Sequence, residues 1–313
     1  MKRAATGRGG GAPRQSKKRM TITRRRRPWP SILVPILLIS SALAHGEAAG
    51  RNFLWKATGR QGVVYLVGSI HALPADAYPL NPAFDAAFKD ADLLVEEIDL
   101  GDSQGQLQAL TRGMLPAGQT LDRVLSPGTL AQLNKFSANL GVAAEPLKMF
   151  KPWMIVVVLE GLQVMQAGFD PELGIDKHFY DQAQRQGKPV QGLETAEYQI
   201  SRFDEMTPDQ QDRMLADTLK ALDTEKASFG KLADAWKTGD ASTVERVVLS
   251  DLKQDPVIYQ RLLVERNRNW LPKIEEFFNR RGHAFVVVGA AHLLGPDGLI
   301  AMLKAKGYSV EQM

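Results

Sequence analysis

The sequence predicts an α/β protein whose central sheet is built from both ends of the chain, with a large helical insertion between them. Two apolar runs carry that expectation. Val63-Val64-Tyr65-Leu66-Val67-Gly68-Ser69-Ile70-His71 lies near the start and Ala284-Phe285-Val286-Val287-Val288-Gly289-Ala290-Ala291-His292 near the end. Each is a strand-like segment that stops at a glycine and presents a histidine three residues later. Unbroken apolar runs suit strands buried on both faces, as in a parallel sheet. The third observation is the intervening chain, where residues 103–278 read mostly as helix.

Taken in order, residues 1–44 are a basic extension and a secretory signal. They hold eleven of the 39 Lys and Arg and none of the 35 Asp and Glu. Arg24-Arg25-Arg26-Arg27 precedes an apolar stretch from Ser31 to Ala44 that ends in the small-x-small pattern Ala42-Leu43-Ala44. Cleavage after Ala44 is expected, which makes the mature chain periplasmic or secreted. The apolar stretch is short for a bilayer span and contains Pro35, so membrane contact is expected only through this segment if it stays uncleaved. The remaining chain, 45–313, reads as one domain with sheet-forming parts at about 50–100 and 283–313. It carries 28 basic against 35 acidic residues, a formal −7, which argues against a nucleic-acid partner. With no cysteine, disulfides, thiol catalysis and Cys-ligated metals are excluded.

Asn52–Lys56 and Val63–Val67 flank Gly59-Arg60-Gln61-Gly62 and read as a hairpin. The prolines between Pro74 and Pro82 make a loop, and Pro82 opens a short helix. Asp92-Leu93-Leu94-Val95-Glu96-Glu97-Ile98-Asp99 is a strand whose end turns acidic. Ser126-Pro127 starts a helix, Pro152 to Ala167 is apolar on most faces and is expected to be buried, and Gly187 ends a helix begun near Asp176. Lys188 to Glu194 is a short strand, Thr207-Pro208 caps another helix, and a terminal strand starts at Tyr308.

Strands of open α/β sheets bind ligands beyond their carboxyl ends. Gly68 and Gly289 therefore suggest a turn or close ligand approach there, and His71 and His292 a site closed from both ends of the chain. Glu97 completes a two-His, one-carboxylate face suited to a divalent transition metal, with zinc among the ions that would fit. Such an ion would polarise a carbonyl and activate water, although imidazole and carboxylate can also do acid–base work unaided. Glu96 offers a second carboxylate, as ligand or general base; its plainer reading is an exposed edge charge. Ser69 reads as a small residue beside a turn. Asp176, Glu194 and Arg266 stand in apolar or turn contexts, as helix caps or as groups supporting a pocket. His178 and His283 read as structural or exposed. Walker, dinucleotide, His-Glu-x-x-His and Gly-x-Ser-x-Gly motifs are missing from the sequence.

Gly68-Ser69-Ile70-His71, Glu97-Ile98-Asp99, Lys151-Pro152-Trp153, Gly174-Ile175-Asp176, Gly192-Leu193-Glu194-Thr195, Arg266-Asn267 with Trp270, and Val288-Gly289-Ala290-Ala291-His292-Leu293 occur in the order of the TraB/PrgY/GumN family. The chain resembles a bacterial GumN-type member over about Phe53 to Val310. The resemblance implies an erythromycin-esterase/ChaN-like fold with a mainly parallel sheet. It also implies kinship with Tiki metalloproteases, with His71, His292 and Glu97 as metal-binding active-site residues and manganese or cobalt as cofactor. The function expected is a metal-dependent, peptidase-like hydrolase acting on a peptide or protein. The alternative is a non-catalytic protein that sequesters a peptide or haem-like ligand in the same cleft.

Overall fold

The computed structural model describes residues 51–313 apart from 142, 144 and 225–227, so the signal segment expected over 1–44 lies outside the described residues. Six strands form one sheet: β1 (Leu54–Thr58), β2 (Gly62–Ser69), β3 (Leu93–Glu96), β4 (Val190–Gly192), β5 (Gly282–Gly289) and β6 (Ser309–Gln312). Their order across the sheet is β4-β3-β5-β2-β1-β6. The β2–β5, β3–β5 and β3–β4 pairings are parallel, whereas β1 is antiparallel to both β2 and β6. The fold is α/β, as the sequence predicts. A late strand, β5, fills the centre between two early ones.

The hydrophobic runs explain that position. From Ala284 to Val288 every β5 side chain is at most 3% exposed, so neither face meets water. Helices Pro82–Asp90 and Ile175–Gln186 meet it through an aromatic group in which Phe285 lies 5.3 Å from Phe88 and 4.6 Å from Phe179, centroid to centroid. The long helix Glu265–Asn279 packs along β2 and β5, burying Trp270, Ile274, Phe277 and Phe278. At the two sheet edges, β4 has three residues and β6 four, which leaves little unpaired backbone.

The helical middle packs into two cores. Helices Pro127–Leu140, Pro152–Gln166 and Pro208–Thr224 enclose a separate core of Leu133, Phe136, Ile155, Leu159, Leu215 and Leu219, among others. Leu232, Ala233, Trp236, Val244 and Leu249 join the core of the sheet instead, while Ile258 and Leu262 pack against the helical core. The sequence predicts Pro152 to Ala167, apolar on most faces, as a buried helix. The helix leaves Val157 47% and Met165 57% exposed, because its partners cover only one side. No helix among the described residues is long and apolar enough to cross a membrane.

Gly68 shows why the first run must end in glycine. A Cβ there would lie 2.3 Å from the Phe53 ring and 3.2 Å from the Ala290 backbone. Its carbonyl accepts the Trp236 indole N–H at 2.6 Å, and its N–H donates to the Phe53 carbonyl at 3.1 Å. Phe53 is fully buried and stacks on Trp236, so the ring has nowhere to retreat. Gly68→Ala is expected to lower unfolding free energy by about 1–3 kcal/mol through overpacking, measured by urea denaturation.

Candidate functional site

Because β2, β3 and β5 are parallel neighbours, their carboxyl ends reach one edge of the sheet. Ser69 pairs with Gly289 and Glu96 with Val287. The chain continuing past those residues carries His71, Glu97 and His292. His292 sits on a single helical turn, Ala290–Leu293, and is 6% exposed.

The Arg266 guanidinium holds one side of the site. Its Nε donates to Glu194 Oε1 at 2.9 Å, and its Nη2 donates to Glu97 Oε2 at 2.5 Å and lies 2.7 Å from Glu194 Oε1. Its Nη1 lies 3.1 Å from His292 Nε2. Side-chain exposures of 8% for Arg266, 13% for Glu97 and 4% for Glu194 make this a buried cluster. The Trp270 indole donates to the other Glu194 oxygen at 2.8 Å, and Trp270 also packs against the His292 ring at 4.4 Å. A π-helical stretch, Gln260–Val264, immediately precedes the helix that carries Arg266. Such interruptions recur at functional sites.

Glu97 is fully engaged. Oε1 accepts the Gly289 N–H at 2.7 Å, and Oε2 accepts Gln199 at 3.0 Å as well as Arg266. Burial alone would raise its proton affinity. Arg266, the two imidazoles and the Gly289 N–H outweigh that and hold Glu97 below the usual carboxylate range. On Glu194 burial wins over Arg266 and the shift is upward.

The two histidines are driven apart. His292 Nδ1 lies 2.7 Å from Asn267 Oδ1, an atom that can only accept, so the ring proton is on Nδ1 and Nε2 carries the lone pair facing Arg266. Burial pushes His292 down to about 3, so this imidazole is neutral. His71 is 68% exposed on its side chain and lies 3.2 Å from Asp176 Oδ1 through Nδ1. The Asp176 charge pushes His71 up to about 9. Asp176 also accepts the Ser69 hydroxyl at 2.7 Å. The cap of its helix is Gly174, a residue whose missing side chain lets the helix start close against the His71 carbonyl. Glu194 is likewise no cap, since Thr195 caps the next helix.

These groups converge beside Gly289. A Cβ at that position would lie 3.3 Å from Glu97 Oε1, 3.6 Å from His292 Cδ2 and 3.8 Å from His71 Nε2. A cavity of about 210 Å³ opens here, lined by Ser69, His71, Glu96, Asp176, Gln199 and Gly289 among others. Glu96 is not the exposed edge charge expected. It is 2% exposed, and neither carboxylate oxygen has a hydrogen-bond partner. Burial, with Asp176, Asp99 and Glu97 nearby, pushes it up to about 9.

A divalent ion suits this corner in the kind of donors it offers. Each imidazole has Nδ1 tied to an acceptor, the arrangement that orients metal-binding histidines. Carboxylates stand alongside, and the orphaned oxygens of Glu96 call for a partner. Arg266 holds the His292 Nε2 lone pair, which an ion would have to take over. Among the described residues, no three His, Asp or Glu side chains are grouped closely enough to hold an ion as they stand.

A family model described as the TraB/PrgY/gumN family matches residues 53–312, which span every strand and every residue of this site. The chain belongs to the TraB/PrgY/gumN family. It is 30% identical over 240 residues to the uncharacterized protein YbaP of Escherichia coli (strain K12), covering 77% of this chain and 87% of that one. The YbaP protein of Shigella flexneri matches with the same identity and coverage. No solved structure matches the chain.

In this family member the structure brings together His71, Glu97, His292, Gly289, Asp176, Glu194 and Arg266, whereas Gly68 faces Phe53 and Trp236 in the core rather than a ligand. Sequence reasoning missed Gln199 and the role of Asn267, and for Glu96 it preferred an exposed edge charge to the ligand or general base. Asn267, fully buried next to Arg266, fixes the His292 tautomer and also donates to the His292 carbonyl at 3.1 Å. A buried amide beside a buried arginine was the available signal. Gln199 gave none, being one polar residue on an amphipathic helix. His283 lies at the opposite end of β5, paired with Asp90 at 2.6 Å.

Arg266→Gln would strand two buried carboxylates, so denaturant unfolding is expected to show a loss of about 3–5 kcal/mol. Lysine should restore little of it, because it lacks the planar fork. The His71–Asp176 pair gives a pH signature. A histidine whose folded pKa is raised adds stability that is complete below its ordinary value of 6.5 and vanishes as pH rises through about 9. The Tm advantage of the wild type over His71→Gln should therefore be larger at pH 6 than at pH 10 in a thermal melt series.

Proposed function

We propose that this chain is an exported, periplasmic or secreted metal-dependent hydrolase acting on peptides. The observation that carries the reading is the convergence of Glu97, His71 and His292 within 4 Å of one point beside Gly289. His71 and His292 would offer imidazole nitrogens to a divalent ion such as manganese, cobalt or zinc, and Glu97 a carboxylate oxygen. Bound there, the ion would polarise a substrate carbonyl and bring the pKa of a water toward neutrality. The chain's own residues prepare for this. Asp176 orients the His71 ring, Asn267 sets the His292 tautomer, and Arg266 keeps Glu97 ionised. The opposed imidazoles also suit acid–base work without a metal, since His71 carries a proton and His292 a lone pair. Export is supported by the pattern of residues 24–44 alone.

The contact between Arg266 and His292 Nε2 favours a second reading, in which the cleft sequesters a ligand without turning it over. A cavity of about 210 Å³ is below the ~300–1,000 Å³ of ordinary small-molecule sites. That suits a peptide side chain or terminus better than a haem-sized ring.

Stripped of metal by chelation and reloaded with manganese, cobalt or zinc, the protein should cleave members of a peptide library over many turnovers. Gly289→Ala tests the same corner without removing any polar group. Its φ of −49° suits alanine, yet the methyl would stand among Glu97, His71 and His292. The variant is expected to keep its Tm within a few degrees and lose metal-dependent cleavage. Stoichiometric peptide binding with no metal-dependent cleavage in the wild type would replace the hydrolase by the binder.

A further inference from the structure

Two adjacent glutamates end the third strand, and they are in opposite situations. Glu97 has its oxygens taken by Gly289, Gln199 and Arg266, and could meet a ligand only by releasing some of them. Glu96 has nothing to release. Both of its oxygens are buried and neither finds a donor, although the Ser69 hydroxyl and the His71 ring line the same cavity. Those two groups are directed to Asp176 instead.

A buried, unpartnered carboxylate destabilises the fold that contains it, because it has given up water and gained no bond. Leucine or valine on a strand so deep in the sheet would pack without that cost. The charged groups acting on Glu96 are mostly of its own sign: Asp176, Asp99 and Glu97, with His71 opposing them. Of these, Glu97 is balanced by Arg266, and Asp176 by His71. Glu96 is the member of the acidic set that no cation of the protein meets. It lines the cavity to which His71 and Glu97 also contribute.

We infer that Glu96 is a further, direct ligand of a divalent cation held in this cavity, beside the Glu97 carboxylate. The inference rests on the metal-site reading above and assigns a carboxylate to it that is free to turn toward the ion. Coordination would give the orphaned oxygens the partner that the protein withholds.

Titration calorimetry of the chelator-stripped, full-length protein with Mn²⁺ tests this without any substrate. Wild type should bind, and Glu96→Gln should bind more than tenfold more weakly and change the visible absorption of the Co²⁺-loaded protein. Glu96→Leu, stripped of metal, should melt at a higher temperature than stripped wild type. Affinity within tenfold of wild type in Glu96→Gln would overturn the assignment and leave the metal site standing. Weaker binding with an unchanged Co²⁺ spectrum would also overturn it, by making Glu96 an indirect contributor. A lower melting temperature for Glu96→Leu would overturn it as well, since Glu96 would then serve the fold. No Mn²⁺ binding by wild type would remove the metal site and this inference together.

Discussion

Glu97 and Glu194 are both almost wholly withdrawn from water, and the guanidinium of Arg266 set between them is what makes that tolerable. An isolated buried carboxylate would neutralise itself or pull the fold open. Here one planar cation donates to both, and the Trp270 indole and the Gly289 N–H take further lone pairs. The scale of the effect separates this cluster from ordinary ion pairs. Breaking a buried pair costs about 3–5 kcal/mol, whereas exposed pairs contribute about 0–1 kcal/mol. Arg112–Glu197, at 41% and 61% side-chain exposure, belongs to the second kind. Only the first kind decides where strand ends can lie.

That cluster also ties together three parts of the chain that are distant in sequence. Arg266 comes from the helix along β2 and β5, Glu97 from the end of β3, and Glu194 from the segment after β4. The backbone helps, since Glu194 N–H donates to the Glu97 carbonyl at 2.8 Å and Leu193 N–H to the Glu96 carbonyl at 2.8 Å. Lys273 adds a 2.5 Å bond to the Leu193 carbonyl. The edge of the sheet is thus rigid on the Arg266 side and more open on the His71 side, where the imidazole is 68% exposed. A ligand would approach from the open side and meet prearranged charge on the other.

How much of this was legible in the sequence depends on how local each signal was. Apolar runs ending in Gly-x-x-His mark strand, turn and side chain within nine residues, and the structure brings both histidines to one edge. Glu97 could be placed at a strand end for the same reason. For Glu96 the exposed reading was preferred, because period-two alternation sends adjacent residues to opposite faces and allows only one of the pair to face inward. β3 stops at Glu96, so that rule no longer governs Glu97. Asp176 and Glu194 stand beside helix starts and looked like caps. Their partners, His71 and Arg266, lie far along the chain, and local propensity carries no information about them. The apolar character of most faces of Pro152–Gln166 suggests a buried helix. Burial is decided by what packs against a helix, and its neighbours cover only part of it.

The central place of β5 has a consequence for the order in which the molecule can be made. β2 and β3 flank it in the finished sheet but precede it by about two hundred residues. Until β5 and the turn after it are available, those early strands have a gap where their main partner belongs, and the histidine that completes the cleft has not yet arrived. Pairings this distant in sequence form slowly and leave apolar edges uncovered meanwhile. A nascent chain of this design therefore keeps its sheet open until β5 has been made.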